Sequence, residues 1–347
     1  MANIKIIKHF SDIPYNFRVC LYGTGKFGKK IRRLLEYFRP DIHIVAYIDS
    51  YKGGVINGLH VFKIDEIDLI RKNCDLVLIT SSLCSEIVKT LMDRQFSRYK
   101  ICSQDLLRKE AHYSGDHLGQ IHHAEREKAL KLGVGYAAYT YVEGDIVEFG
   151  TWDGWSASIL GLSLALAQPY CSEQKRLLLF DSFKGLPASE SIIDSNSPHV
   201  TAGDWCEGAL KGASKEEVYA DVIAVSGLDE DRLIVYDGWF KDTMAQLPKD
   251  TRFSMLHLDC DLYQSTVDVL EPCFSQGFIS EGAILIFDDW NCHRGSPESG
   301  ERKAWAEMVE RFSVSYSDEG SYAISGHKLI VHSYKGMPLS KRAESVK

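Results

Sequence analysis

Short apolar runs alternate with helical stretches twice along the chain, and this pattern constrains the fold more than any other feature. In the first series, a strand at 18–22 and a glycine turn lead into a helix that runs to about Phe38, before Pro40. Further strands are predicted at 42–48 and 75–80. Parallel strands need a crossover connection, so strand, turn, helix and strand in this order are typical of a parallel βαβ sheet. The first hundred residues therefore predict a Rossmann-like domain.

A second alternating series begins at Glu143 and predicts a complete sheet of its own. Its strands are predicted at 145–149, 176–180, 232–236, 253–258 and 283–287, with a closing pair near 322–324 and 328–332. The connecting stretch from about 106 to 141 is polar and helical in pattern. The prediction is thus an α/β chain with two doubly wound Rossmann-like domains. Its parts are domains at 1–108 and 141–334, a helical connector at 109–140 and a polar tail at 335–347.

Composition limits the partners that this chain of 347 residues is expected to have. Its formal net charge of -8 argues against a nucleic acid or an anionic membrane surface, which require a broad basic patch. No apolar run is long enough to span a bilayer or to act as a signal peptide. The nine cysteines are scattered singly, without a CxxC pair, as expected of reduced residues in a cytoplasmic protein.

Residues that follow the strands of the second series are the candidate ligand contacts. In an open parallel sheet, ligands bind beyond the carboxyl ends of the strands. The first strand is followed by a turn with Gly150 and Gly154, which lets the backbone approach a ligand at the start of a helix. The second is followed by Asp181, which could accept hydrogen bonds from ribose hydroxyls or simply cap a helix.

Four carboxyl groups follow the fourth and fifth strands: Asp259, Asp261, Asp288 and Asp289. Unpaired carboxylates so close together would raise one another's pKa, and a hard cation such as Mg²⁺ relieves that cost. A bound cation also lowers the pKa of an alcohol and orients it for attack. The Asp288–Asp289 pair alone could equally be a solvated loop. Asp259 and Asp261 alternate at the end of the fourth strand, and only one of them is expected to face the metal.

These stretches resemble the macrocin O-methyltransferase (TylF) family, metal-dependent enzymes that methylate sugar hydroxyls. The matching stretches are 143–154, 181–187, 238–243, 258–266 and 287–290. The resemblance implies a class I S-adenosylmethionine (SAM) methyltransferase fold for the C-terminal domain, with Mg²⁺ as a second cofactor. Two residues depart from the family: Cys260 replaces the usual glycine, and Trp290 replaces the usual tyrosine.

The resemblance also implies roles for individual residues. The metal ligands are expected to be Asp259, Asp288 and Asp289, and Asp259 doubles as the catalytic base unless Asp261 does so. The residues expected to border SAM are Glu148, Gly150, Trp152, Gly154, Asp181, Ser182, Asp237, Gly238 and Trp239. The loop at 291–302, which carries His293 and Arg294, either contacts the acceptor or is a surface loop. Trp205 and Trp239 are candidate platforms for a sugar, with core packing as the alternative.

The N-terminal domain carries a separate glycine motif. Gly23, Gly25 and Gly28 form GxGxxG directly after a strand, and Asp49 ends the next strand, as in dinucleotide-binding domains. The same turn also occurs in domains that bind no nicotinamide cofactor. The segment resembles the small Rossmann-type domains that precede bacterial sugar-modifying transferases, which implies nucleotide or nucleotide-sugar binding, with a purely structural role as the alternative. No catalytic His, Lys or Tyr-x-x-x-Lys follows the motif, so hydride transfer is not supported.

The predicted function is Mg²⁺-dependent transfer of a methyl group from SAM to a hydroxyl. The expected acceptor is a sugar or glycoside in glycan or natural-product biosynthesis. Three alternatives are a non-sugar hydroxyl as acceptor, an NAD-linked oxidoreductase, and a non-catalytic nucleotide-binding protein. The sequence leaves open whether the chain forms a homo-oligomer.

Overall fold

The computed structural model describes residues 6–7, 10–81, 83–102, 117–171, 173–189 and 191–338. They form two compact units, each with its own seven-stranded sheet. The first unit holds the described residues before 115 together with Ala224–Gly227, and the second holds the remainder. No helix in these ranges is both long and apolar enough to cross a bilayer.

The first unit is a doubly wound sheet in the order β1-β7-β6-β2-β3-β5-β4. Its strands are β1 (Ile6–Ile7), β2 (Arg18–Tyr22), β3 (His43–Asp49), β4 (Gly54–Ile56), β5 (Leu59–Lys63), β6 (Leu76–Ile79) and β7 (Tyr99–Cys102). Its helices are α1 (Lys26–Phe38), α2 (Ile67–Asn73) and α3 (Cys84–Asp93). Neighbouring strands run parallel except at β4–β5. Buried aliphatic residues of β2, β3 and β6 pack on α2 and α3 as a core of this unit.

The second unit has the strand order β10-β9-β8-β11-β12-β14-β13. Its strands are β8 (Asp145–Phe149), β9 (Leu177–Asp181), β10 (Leu233–Asp237), β11 (Phe253–Leu258), β12 (Ile279–Phe287), β13 (Ser315–Tyr322) and β14 (Gly326–Ser333). Its helices are α4 (His117–Tyr139), α5 (Trp155–Ala167), α6 (Ile192–Ser195), α7 (Pro198–Ala202), α8 (Lys215–Ser226), α9 (Phe240–Met244), α10 (Tyr263–Ser275) and α11 (Gly300–Phe312). The last three residues of α8, 224–226, are grouped with the first unit. Strands β8 to β12 are parallel, and β14 is antiparallel to both neighbours.

Helices cover the central strands of this second sheet, so β8 and β11 are buried along their whole length. Helix α4 lies close to the sheet at Gly133, where an added Cβ would be only 2.7 Å from Ile286 and 2.9 Å from Met255. This close approach holds the polar N-terminal half of α4 beside the carboxyl ends of β11 and β12. The part of the predicted connector that the structure describes, 117–140, therefore belongs to this unit, and residues 109–116 lie outside the described ranges.

The closing hairpin is longer than the sequence pattern predicts. Strand β13 begins at Ser315 rather than near Tyr322, and it forms an edge of the sheet. Its sequence, SYSDEGSY, is polar because most of its side chains are exposed, so it lacks the apolar alternation by which strands are recognised. Of the predicted tail, only residues 335–338 are described.

Candidate active site

A cavity of about 630 Å³ lies at the carboxyl ends of the parallel strands in the second unit. Six of the nine predicted cofactor residues line it: Gly150, Trp152, Asp181, Ser182, Gly238 and Trp239. The four aspartates Asp259, Asp261, Asp288 and Asp289 line the same cavity. The sheet therefore brings the glycine turn and the acidic residues together around one space.

The glycine turn after β8 is held against the acidic loop after β11. Gly150 has φ +87°, and a Cβ there would lie 2.0 Å from the carbonyl oxygen of Asp259. Only glycine fits this close approach. The Asp181 carboxylate accepts the backbone N–H of Thr151 at 2.7 Å and that of Phe183 at 2.7 Å. Asp181 thus fixes the glycine turn while its side chain borders the cavity.

Three of the predicted cofactor residues do not line the cavity. Glu148 is fully buried, and its Oε1 lies 2.8 Å from Nδ1 of His257 on the neighbouring strand. Gly154 is the N-cap of α5, with φ +78°. Asp237 is exposed at the end of β10. These residues shape the strand ends and the turn around the cavity.

Carboxylate oxygens of Asp259, Asp261 and Asp289, hereafter the acid triad, lie within 4.8 Å of one another. The expectation that only one of Asp259 and Asp261 faces this point is wrong. Residues two apart on a strand share a face, so alternation does not separate this pair. Both residues also follow the end of β11 at Leu258, in a loop where Asp261 has φ +58°. Burial raises the pKa of Asp259 to about 6 and that of Asp289 to about 8.

Asp288 is an expected metal ligand that the structure does not place in the acid triad, where Asp261 stands instead. Its Oδ1 accepts the Tyr322 hydroxyl at 3.1 Å and lies 3.0 Å from Nε of Arg126. Burial alone would raise the pKa of Asp288, but the charge of Arg126, the two histidines His257 and His122 and the Tyr322 hydrogen bond together outweigh that effect, and the pKa is lowered. Arg126 also contacts the carboxylate of Asp259.

The acid triad fits a hard divalent cation. Such ions take oxygen ligands, and three carboxyl groups converge here. One further observation points the same way: Oδ2 of Asp289 is buried and has no hydrogen-bond partner. A buried polar atom left unpaired is costly, and a cation would satisfy it.

Two buried charged residues of the site were not predicted. Arg126 lies 133 residues before Asp259, and nothing local in the sequence indicates that they meet. Glu301 is fully buried at the start of α11, and its Oε2 accepts the backbone N–H of Asp289 at 3.0 Å. A signal for Glu301 did exist, because it occupies the apolar stripe of α11 with Ala304, Trp305 and Met308.

Aromatic residues also border the cavity. Trp205 lines the cavity and stacks on His199, with ring centroids 4.4 Å apart. His293 is buried beside Trp205, so this part of the 291–302 loop is not a solvated surface. Trp290 is buried against Phe287 and is not among the lining residues.

The N-terminal glycine motif is also folded as a tight turn. Gly23 has φ +133°, and a Cβ on Gly28 would lie 1.9 Å from the Gly23 carbonyl oxygen, whereas the space around Gly25 is open. The Thr24 hydroxyl donates to Asp49 at 2.7 Å, and the other oxygen of Asp49 accepts the backbone N–H of Tyr51. Asp49 is therefore occupied in organising the loop after β3.

Family models match two parts of the chain. The macrocin-O-methyltransferase (TylF) model matches residues 119–308, and the "C2185-like, N-terminal" model matches residues 15–102. The first match covers more than half of the chain and contains every residue that lines the cavity.

The chain is also similar to characterised proteins. It is 32% identical over 149 residues to the 8-demethyl-8-(2,3-dimethoxy-alpha-L-rhamnosyl)-tetracenomycin-C 4'-O-methyltransferase of Streptomyces olivaceus, covering 43% of this chain and 54% of that one. It is 30% identical to the mycinamicin III 3''-O-methyltransferase of Micromonospora griseorubida, covering 52% and 70%. The chain thus spans about half of the first relative's length and 70% of the second's. The O-methyltransferase NovP has a similar fold, with a TM-score of 0.50 and 24% identity over 60% of this chain and 80% of that one.

Proposed function

Because the chain belongs to the macrocin-O-methyltransferase (TylF) family, we propose that its second unit transfers a methyl group from SAM to a hydroxyl. The single observation that carries the proposal is the cavity in which the glycine turn after β8 faces the acid triad. In this proposal the glycine turn and the β9 and β10 ends hold SAM, and the acid triad holds Mg²⁺. Asp288, which the sequence also assigns to the metal, adds negative charge beside the triad.

The residues of the site can bind, orient and deprotonate an acceptor. A bound divalent cation lowers the pKa of a hydroxyl and fixes its position. Asp259, whose pKa is about 6, is positioned to take the hydroxyl proton, and Asp261 is the alternative base. As the C–O bond forms, the methyl C–S bond breaks and its electron pair stays on sulfur. Transfer between aligned groups is largely a matter of proximity, so the cavity walls supply much of the catalysis.

A sugar is the proposed acceptor, in glycan or natural-product biosynthesis. The relatives named above are O-methyltransferases of a rhamnosyl-tetracenomycin and of mycinamicin III. Trp205 and Trp239 line the cavity and offer the aromatic surface on which a sugar face stacks. A non-sugar hydroxyl remains the alternative acceptor. The nine free cysteines support a cytoplasmic location.

For the first unit we propose nucleotide or nucleotide-sugar binding at the turn of Gly23, Gly25 and Gly28. The open space at Gly25, at the start of α1, supports this proposal because a phosphate could approach the backbone there. Calorimetric titration of the full chain with UDP and UDP-glucose tests it. Gly25→Glu should abolish any binding and leave SAM binding intact.

The methyltransferase proposal is tested by SAM binding and turnover in matched variants. Asp259→Asn and Asp289→Asn should lower turnover on a panel of methyl hexosides by about 100-fold or more, since they remove the base or a cation ligand. Their Kd for SAM should stay within about threefold of the wild type, since neither change touches the glycine turn.

The matched control is Asp250→Asn, which changes an exposed aspartate. Activity that is unchanged in EDTA would contradict the role of the metal, and absence of SAM binding would contradict the whole proposal.

A further inference from the structure

Arg126 is a buried cation placed directly against the acidic residues. Its guanidinium contacts Asp259, and its Nε lies 3.0 Å from Oδ1 of Asp288. That Nε has no hydrogen-bond partner, so its interaction with Asp288 is a contact of charges rather than an aligned hydrogen bond. The Arg126 side chain is only 11% exposed, which leaves little solvent to screen these interactions.

Arg126 comes from a different element than the acids and is held there by further contacts. It projects from α4, whereas the aspartates follow β11 and β12. Its guanidinium lies over the ring of Trp155, 5.7 Å from the centroid. The Tyr322 hydroxyl holds Asp288 from the side of β13. A guanidinium on a long side chain can leave such a position without moving the strands.

Asp259 takes part both in the contact with Arg126 and in the acid triad. One of its oxygens contacts Arg126, and one of its oxygens belongs to the acid triad. A guanidinium and a divalent cation that share one carboxylate repel each other, and the repulsion is strong where water is excluded. We propose that Arg126 is an internal counter-ion that competes with the cation for Asp259 and weakens cation binding to the acid triad.

This inference rests on the cation site of the proposed function and specifies how that site is regulated. Without a cation, Arg126 balances the charge of Asp259 and Asp288, which keeps the buried acidic cluster stable. When a cation binds, Arg126 loses its contact with Asp259. The affinity of the site is then set by a residue of α4 that is not itself a ligand.

Calorimetric titration of Mn²⁺ into the full chain tests the inference without a turnover assay. Arg126→Gln removes the charge, and its Kd for Mn²⁺ should be lower than that of the wild type by about tenfold or more. Arg126→Lys keeps the charge and should bind Mn²⁺ nearly as the wild type does. The matched control is Lys128→Gln, which removes an exposed positive charge from the same helix and should leave the Kd unchanged.

The outcomes separate this inference from the proposed function. A Kd for Arg126→Gln equal to or above the wild-type value overturns the inference, as does absence of Mn²⁺ binding in both proteins. Mn²⁺ binding by Arg126→Gln but not by the wild type supports the inference. SAM titrations of the same samples test the methyltransferase proposal independently. If Arg126→Gln does not fold, a wild-type crystal structure with Mn²⁺ decides: an Arg126 separated from Asp259 supports the inference, and a retained contact overturns it.

Discussion

Asp289 is a buried carboxyl group that links the stability of the second unit to pH. Its folded-state pKa of about 8 lies well above the ordinary value of 3.8, so the protonated form is the one that the fold favours. The stabilisation is fully present below about pH 4 and is lost as the pH rises through 8. Without a cation, Asp289→Asn should therefore raise Tm by ~4 °C relative to the wild type at pH 8 and change it little at pH 4.

Thermal unfolding in EDTA at pH 4, 6 and 8 provides the measurement for Asp289. The exposed Asp250→Asn serves as the control and should follow the wild type at each pH. Parallel Tm curves for Asp289→Asn and the wild type would show that this carboxyl group ionises normally in the fold.

Glu148 and His257 form a buried pair that the sequence pattern does not predict. They are opposite each other on β8 and β11, and both side chains are fully buried. Glu148→Ala leaves the His257 ring without its partner, which should cost about 3 kcal/mol of stability. Glu148→Gln keeps a hydrogen-bonding group and should cost less. Urea unfolding followed by circular dichroism measures both, with the exposed Glu310→Ala as control. Equal stability of Glu148→Ala and the control would refute a structural role for the pair.

At the scale of elements, the sequence predicts those strands that are buried on both faces. The central strands of both sheets appear as mainly apolar runs, and all of them are present in the structure. The strands that were not predicted, β1, β4, β5 and β7, lie at or next to the edges of the first sheet, and most of their side chains are at least partly exposed. The edge strand β13 was predicted only at its C-terminal end. Contacts such as Arg126 with Asp259 depend on how α4 packs on the sheet, and no local pattern carries that information.

The turn after β8 provides a prediction at the scale of elements. Gly150→Ala places a Cβ 2.0 Å from the Asp259 carbonyl oxygen, so the turn and the acidic loop must separate. We expect a loss of more than 2 kcal/mol in stability and of about tenfold or more in SAM affinity. Gly203→Ala is the matched control, because Gly203 has nearly the same φ of +86° but no neighbour near its Cβ. Calorimetric SAM titration and urea unfolding compare the two. Similar losses in both variants would indicate backbone strain rather than the clash with Asp259.

At the scale of the whole molecule, the two units have separate sheets and separate cores. Every residue that lines the cavity belongs to the second unit. The two glycine motifs, after β2 and after β8, are therefore predicted to serve different ligands. Damage to one unit should leave the ligand binding of the other intact.

Gly28→Val tests this independence in the full chain. A Cβ at Gly28 would lie 1.9 Å from the Gly23 carbonyl oxygen, so α1 cannot keep its position against the turn. The first unit should lose about 3 kcal/mol or more and unfold in a separate, earlier calorimetric transition. Gly25→Ala is the control, since its Cβ meets open space and α1 stays in place. The Kd for SAM should remain within about twofold of the wild type in both variants. A rise in that Kd that accompanies the earlier transition would mean that the first unit supports the methyltransferase site.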